Sequence, residues 1–478
     1  MTTDRRAPGW VARIARAVLL LVLLAAVSGL ASPRPAACSD LATASPAVAY
    51  FDVRPLAVRV GSTAPVEFRF QVSGSPSAVQ LILEDGSAVP LAQPAPGTYA
   101  ATLTAAQALA GYRTSEPYND HNHNHVGWLD LYEGATLAVR CGLFVNVIDE
   151  RVPAVTVRSR AADVQTSPRV ANVVVPGMNP ASPDARTATQ RFYHVLGDDY
   201  DLANVLFVPQ RFANRTHVVI RNQVQGIGLP NIDAGASYGS PSRLIGVTHY
   251  PLLSYFDLAE TASVHEIGHQ WINHLDGPAV VANPGAHWPL SSLAQGLMGV
   301  SGPAESGYQG LSFPYALTPV PGGNYHVVYV GPYRTFTDMD LYLMGMLPAA
   351  AVGTHFVFNN QSQTATHGGT LLGPVTWVTA QSVIQANGAR NPAYPNARTR
   401  FRVATIVMSN RLLTPDEMAF LDYFAARGSL TMAVPFSSGL SAGVTYPFYV
   451  ATRGSGCLVT TLDHDGSCNR AFLPAVRR

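Results

Sequence analysis

Val264-His265-Glu266-Ile267-Gly268-His269-Gln270-Trp271 is the stretch on which the reading of this chain turns. In a helix, at about 100° per residue, the two histidines fall only about 40° apart, so both imidazoles can reach one metal ion. Glu266, one step round, can then hold a water beside that ion. This is the H-E-x-x-H arrangement of zinc hydrolases. Zn²⁺ polarises a carbonyl and lowers the pKa of bound water to about 7, and the carboxylate takes the proton.

The same spacing also arises where two histidines are simply hydrogen-bonded in a core or on a surface, so the flanks have to decide. Asp257 followed by Glu260 resembles a capping box, and Gly277 offers a stop, which together predict a helix over 258–275. Val264, Ile267, Trp271 and Leu275 form an apolar stripe beside the histidines, as expected of a helix buried on one side.

Catalytic zinc usually takes three protein ligands and leaves a fourth position to water. His274 lies on the opposite side of a continuing helix from His265. The metzincin pattern H-E-x-x-H-x-x-G-x-x-H would need Gly at 272 and His at 275, where this chain has Ile272 and Leu275. Asp276 returns to the histidine face about 10 Å further along the axis, and suits a carboxylate that orients a ligating histidine. His287, in Gly285-Ala286-His287-Trp288-Pro289, follows the helix at nearly the distance of the third ligand of gluzincins. That ligand is a glutamate in gluzincins, and the first glutamate after the motif is Glu305. His287 is the expected third ligand, with Glu305 as the alternative. Tyr308 and Tyr342 are candidate donors to a tetrahedral intermediate.

The chain has 478 residues, 47% hydrophobic and 13% charged, enough for two or more domains. A net charge of +1 gives no case for a nucleic-acid partner. Residues 1–31 carry Arg5, Arg6, Arg13 and Arg16, then the apolar run 17–27, then small residues, the pattern of an export signal cleaved after Ala31 or Ala37. That run is too short for a comfortable membrane span, and no later segment is long and apolar enough for one. Pro35-Ala36-Ala37-Cys38 has only a faint likeness to a lipid-acceptor site, with proline where leucine is wanted. Four cysteines in an exported chain suit two disulfides, expected as Cys38 with Cys141 and Cys457 with Cys468.

Residues 38–155 read as an all-β domain of immunoglobulin-like sandwich type. Val66, Phe68, Phe70 and Val72 alternate with polar residues, 79–83 runs into the turn signal Asp85-Gly86, and 99–103 and 136–147 supply further strands. Asp120-His121-Asn122-His123-Asn124-His125 could align three imidazoles on a strand, but its Asn and Asp residues favour a solvated loop. Residues 156–435 read as an α+β catalytic domain, with a helix over 184–196, strands near 204–208 and 217–221, and an edge strand over 244–249. Gly235-Ala236-Ser237-Tyr238-Gly239 matches the nucleophile elbow G-x-S-x-G, yet it lacks the strand before and the helix after that an elbow requires. Residues 436–478 form a C-terminal segment with a disulfide loop.

Beyond the motif, Ala286-His287-Trp288, Gly296-Leu297-Met298-Gly299 and Asp340-Leu341-Tyr342-Leu343-Met344-Gly345 follow in order. With Asn387-Gly388-Ala389-Arg390, the helix-like stretch 416–426 and the stretch 448–454, these segments resemble a group of exported bacterial zincin-type metallopeptidases, over about 250–455. The resemblance implies a zincin-like fold, zinc ligands at His265 and His269 and a general base at Glu266; it implies no substrate, and a protein or peptide substrate is the expectation of the peptidase reading. It strengthens His287 as the third ligand. The segment 340–345 reads as an apolar helix packing under the site. Two functions are therefore in view: a secreted zinc peptidase, and an extracellular binding or adhesion protein whose metal site is structural or vestigial. The intact glutamate argues for the first, since a structural site needs no base beside its ligands.

Overall fold

Alternation with a period of two builds the first region. Val66, Phe68, Phe70 and Val72 are all buried on one face of the strand Val66–Ser73, while Glu67, Arg69 and Gln71 face outward. The computed structural model describes residues 36–37, 46–112, 122–211, 215–250, 261–277, 287–299, 313–331, 333–438 and 441–462. The expected export segment, Cys38, Cys468, His121, Glu305 and Tyr308 lie outside these residues.

Val66–Ser73 pairs antiparallel with Ala47–Arg54 and Thr98–Leu103 in a 5-stranded sheet. A second sheet is built on the long hairpin His123–Glu133 and Thr136–Ile148, with Ala78–Leu83 alongside. The two inner faces share one core, in which Phe68, Phe70 and Leu81 meet Leu129, Leu131 and Val145. Two such sheets around one core are compatible with an immunoglobulin-like sandwich. Cys141 is disulfide-bonded, as is Cys457 in the second region.

The expected solvated loop at His123 and His125 is corrected. Both residues begin a strand, opposite Asn146 and Phe144. Asn122 precedes the strand at φ 48°, and Asn124 is buried with its amide donating to the carbonyls of Ala108 and Ala110. The side-chain N–H donors of both asparagines thus find acceptors inside the sandwich, Asn122 on Val147 O and Asp149, and Asn124 on Ala108 O and Ala110 O, which weakens the reason to leave the sheet.

The second region is organised on an 8-stranded sheet. Its centre is parallel: β1 (Val170–Val174), β2 (Leu202–Val208) and β4 (Gly246–Tyr250) run with β5 (Arg400–Ser409), which lies between β1 and β2. Every residue of β2 is buried, as expected where helices cover both faces of a parallel sheet. Helix α1 (Ala185–Leu196), N-capped by Asp184, covers one face through Ala188 and Phe192. On the other face, Phe420 and Phe424 of α4 (Pro415–Arg427) pack with Leu206 and Val208. Cys457–Val459 pairs in parallel with the start of β5.

The edge beside the motif helix is β3 (Thr216–Val219), antiparallel to β4. The stretch 244–249, expected as the edge, is therefore interior. The two regions are tied together by Gln210–Arg211, which pairs with Phe51 and Tyr50, and by buried Glu417, which accepts the Leu56 N–H at 2.7 Å. Among the described residues no helix is long and apolar enough to cross a membrane.

Candidate metal centre

His265 and Glu266 lie on helix α2 (Thr261–Gly268), and His269 follows directly after it; the helix ends at Gly268, before the expected end at 275. Beyond Gly268 the bonds tighten to an i−3 pattern, with His269 N–H on Glu266 O at 3.1 Å and Gln270 N–H on Ile267 O at 3.0 Å. Asn273, at φ 74°, then turns the chain away. A Cβ at Gly268 would stand 2.6 Å from Met298 Sδ and 3.0 Å from Phe336 Cε1, so glycine is what allows the helix to touch the 287–299 segment. Val264, Ile267, Trp271 and Leu275 are all buried in the core below the site, as the apolar stripe predicts.

That close approach brings the third histidine in. The His287 ring centroid lies 4.9 Å from that of His265 and 5.4 Å from that of His269, and the first two rings of the motif are 4.9 Å apart. One nitrogen from each of the three falls within 4.8 Å of the others, a grouping that could hold a metal ion. His265 Nε2 and His287 Nε2 are 3.0 Å apart. Two nitrogens at about 2.05 Å from a tetrahedral zinc would be about 3.3 Å apart, so only a small adjustment separates this pair from a ligating one. His265 Nδ1–H donates to Leu297 O at 2.8 Å, which leaves the Nε2 lone pair directed into the group.

Electrostatics keep these rings neutral. Burial pulls His265 down to about 4, helped by His287, and burial with the neighbouring His265 pulls His269 down to about 2. Burial also lowers His287. Neutral imidazoles are the form that ligates, so protons compete weakly for the site near neutrality. Glu266, beside His265, is buried at 7% exposure.

A further layer holds the 287–299 segment. Trp288 Nε1–H donates to Asp340 Oδ1 at 2.9 Å, and Asp340 also accepts the Thr337 N–H at 2.9 Å, closing a capping box on α3 (Asp338–Met344). Burial raises Asp340 to about 6, against the pull of those bonds. Leu297 N–H donates to Thr335 O at 3.0 Å, which fixes the carbonyl that orients His265. On the other flank, His217 of β3 lies between Thr248 Oγ1, 2.9 Å from its Nδ1, and Gln270 Oε1, 3.0 Å from its Nε2. Gln270 in turn donates to Arg221 O at 3.1 Å. A tryptophan following His287 and a capping pattern at 337–340 were visible signals for the first device. Nothing in the sequence marks Leu297 O or the His217 link.

The remaining candidates fall elsewhere. His274 is not held off by a continuing helix, since the helix has ended; its Nε2–H instead donates to His269 O at 2.9 Å. Asp276, expected to orient a ligand, is exposed and exchanges backbone hydrogen bonds with the Asn387 side chain. The Tyr342 hydroxyl accepts the Arg390 N–H at 3.4 Å, within the core under the site. Ser237 of the G-x-S-x-G stretch sits on a single 3₁₀ turn (Gly235–Tyr238) and donates to Ala234 O, with no helix after it. His123 and His125 pack their rings against Phe144, at 5.1 and 4.8 Å between centroids, and His125 Nδ1 meets the Glu84 carboxylate.

No family model matches the chain. No curated protein matches it either. Among solved structures, a crystal structure of an ICAM-5 D1–D4 ectodomain fragment aligns at 18% identity over 27% of this chain, with a TM-score of 0.15. The alignment spans 32% of that fragment, about a third of its length. A likeness at that level carries no argument about fold or function.

Proposed function

We propose that the chain is a secreted zinc-dependent peptidase of zincin type. The observation that carries this reading is the convergence of His265, which is buried, with the partly buried His269 and His287, beside the buried carboxylate of Glu266. Three nitrogen ligands leave one tetrahedral position, the arrangement of a catalytic rather than a structural zinc. The resemblance of 250–455 to exported zincin-type peptidases points the same way. The disulfide-bonded Cys141 and Cys457 suit an exported chain.

In this reading His265, His269 and His287 hold the ion, and Leu297 O keeps His265 in the ligating tautomer. Zinc bound there would polarise the scissile carbonyl and lower the pKa of the attacking water. Glu266 takes a proton from that water and returns it to the leaving amine nitrogen, so protons balance over the turnover. Edge strand β3, which among the described residues pairs with β4 alone, is where an extended peptide can lie, in place of the interior stretch 244–249. Glu266→Gln is expected to retain zinc and lose chelator-sensitive cleavage of a peptide library by at least about a hundredfold. Undiminished cleavage by that variant, or zinc bound with no cleavage by the parent, would return the reading to a structural site in a binding protein.

A further inference from the structure

Four arginines line a cavity of about 240 Å³ beside the turn that follows His269. Arg221 comes from the short strand Arg221–Asn222, Arg243 from the segment leading into β4, and Arg390 and Arg398 from the segment before β5. Trp271 and Phe401, with ring centroids 5.2 Å apart, line it as well.

The positive charge there is only partly answered. Asp201 serves both Arg243, at 3.2 Å, and Arg398. Asp233 pairs with Arg221 at 2.9 Å. Arg390 is 5% exposed and, among the described residues, meets no carboxylate: its Nε donates to Leu343 O at 2.7 Å and its Nη1 to Pro392 O. Burial pulls Arg390 down to about 10, the mark of a guanidinium short of negative charge. Arg221 is also 5% exposed, and its Nη1 is buried with no hydrogen-bond partner among the described residues, as is Arg243 Nε. Four guanidinium groups thus share two carboxylates around one cavity. Buried donors and uncompensated buried charge are costly, and native chains retain them where something completes them.

We propose that this cavity binds a small molecule through an oxyanion head, a carboxylate or a phosphate, received by Arg221, Arg390 and the Asp201-linked pair Arg243 and Arg398. Planar guanidinium forks match such heads in charge and in donor geometry. An aromatic or aliphatic body would lie against Trp271 and Phe401. The inference stands apart from the peptidase reading, since no group in it touches the histidine nitrogens.

Calorimetric titration of the full-length protein with inorganic phosphate and with benzoate, at constant ionic strength against chloride, tests this. Saturable one-to-one binding of either is expected, phosphate alone assigning a free ion and benzoate alone an organic acid. Arg390→Gln should weaken it by at least about tenfold, Arg398→Gln by about threefold or more, and the exposed Arg186→Gln should leave it unchanged. Neither probe binding saturably, or parent-like affinity in folded Arg398→Gln and Arg390→Gln, would overturn the proposal. Should Arg390→Gln fail to fold, the half-exposed Arg398 decides alone.

Discussion

The chain carries two histidine-rich stretches, and they end in opposite states. In the sandwich, His123 and His125 share a strand face, as their spacing permits, yet Phe144 packs against both rings and Glu84 takes the His125 Nδ1. In the second region, His265 and His269 share a helix face, and a third imidazole arrives from another segment with a carbonyl behind the first. A shared face places side chains together. A metal group needs in addition a partner element and fixed tautomers.

Removing one ligand should have the largest effect on this contrast. His265→Ala is expected to abolish stoichiometric zinc by elemental analysis, whereas His125→Ala should leave it unchanged; equal loss in both would place a zinc site in the sandwich. The next effect is on pH. His265 has a folded pKa near 4 against 6.5 unfolded. Its contribution is therefore fully present above pH 6.5 and is lost as pH falls through 4. In chelator, the unfolding free energy should fall over that window by roughly 3 kcal/mol from His265, with further shares from His269, held lower still, and from half-buried His217, also near 4. Urea titrations at pH 7.5, 6, 5 and 4.5 read this directly, and a flat profile would mean that these rings are not held neutral by burial.

Asp340→Asn tests whether the tie from Trp288 positions His287. Zinc affinity should drop by about 10- to 100-fold in competition with a fluorescent chelator, with the fold retained. Unchanged affinity would reduce Asp340 to a helix cap. The smallest effect is expected at Gly268→Ala. Crowding against Met298 and Phe336 costs about 1–3 kcal/mol, and the gain in helix propensity offsets about 1 of it. A net loss near 1 kcal/mol in urea unfolding would agree. A gain would show that the 287–299 segment can yield.

Local patterning made much of this legible. The alternation at 66–72, the stripe Val264, Ile267, Trp271 and Leu275, and the spacing of His265 and His269 each report a face that the backbone period creates. The same reasoning failed where the outcome depended on partners. The asparagines at 122 and 124 favour turns in isolation, but inside the sandwich their amides find carbonyls. The predicted helix end at 275 gave way to Gly268, after which i−3 bonds and the positive φ of Asn273 turn the chain.

By itself the sequence determined the elements and the chemistry they carry: a strand-rich first region, a helix presenting two imidazoles and a carboxylate, and a histidine at 287 able to join them. Tertiary structure alone decided that β5 enters between β1 and β2, that Thr216–Val219 rather than 244–249 forms the edge, and that Leu297 O and Asp340 brace the site. It alone also gathered four arginines around one cavity. The reason is physical: a period in the sequence states which face is buried, while parallel pairing, a backbone carbonyl and a shared counter-charge are set by segments far apart in the chain.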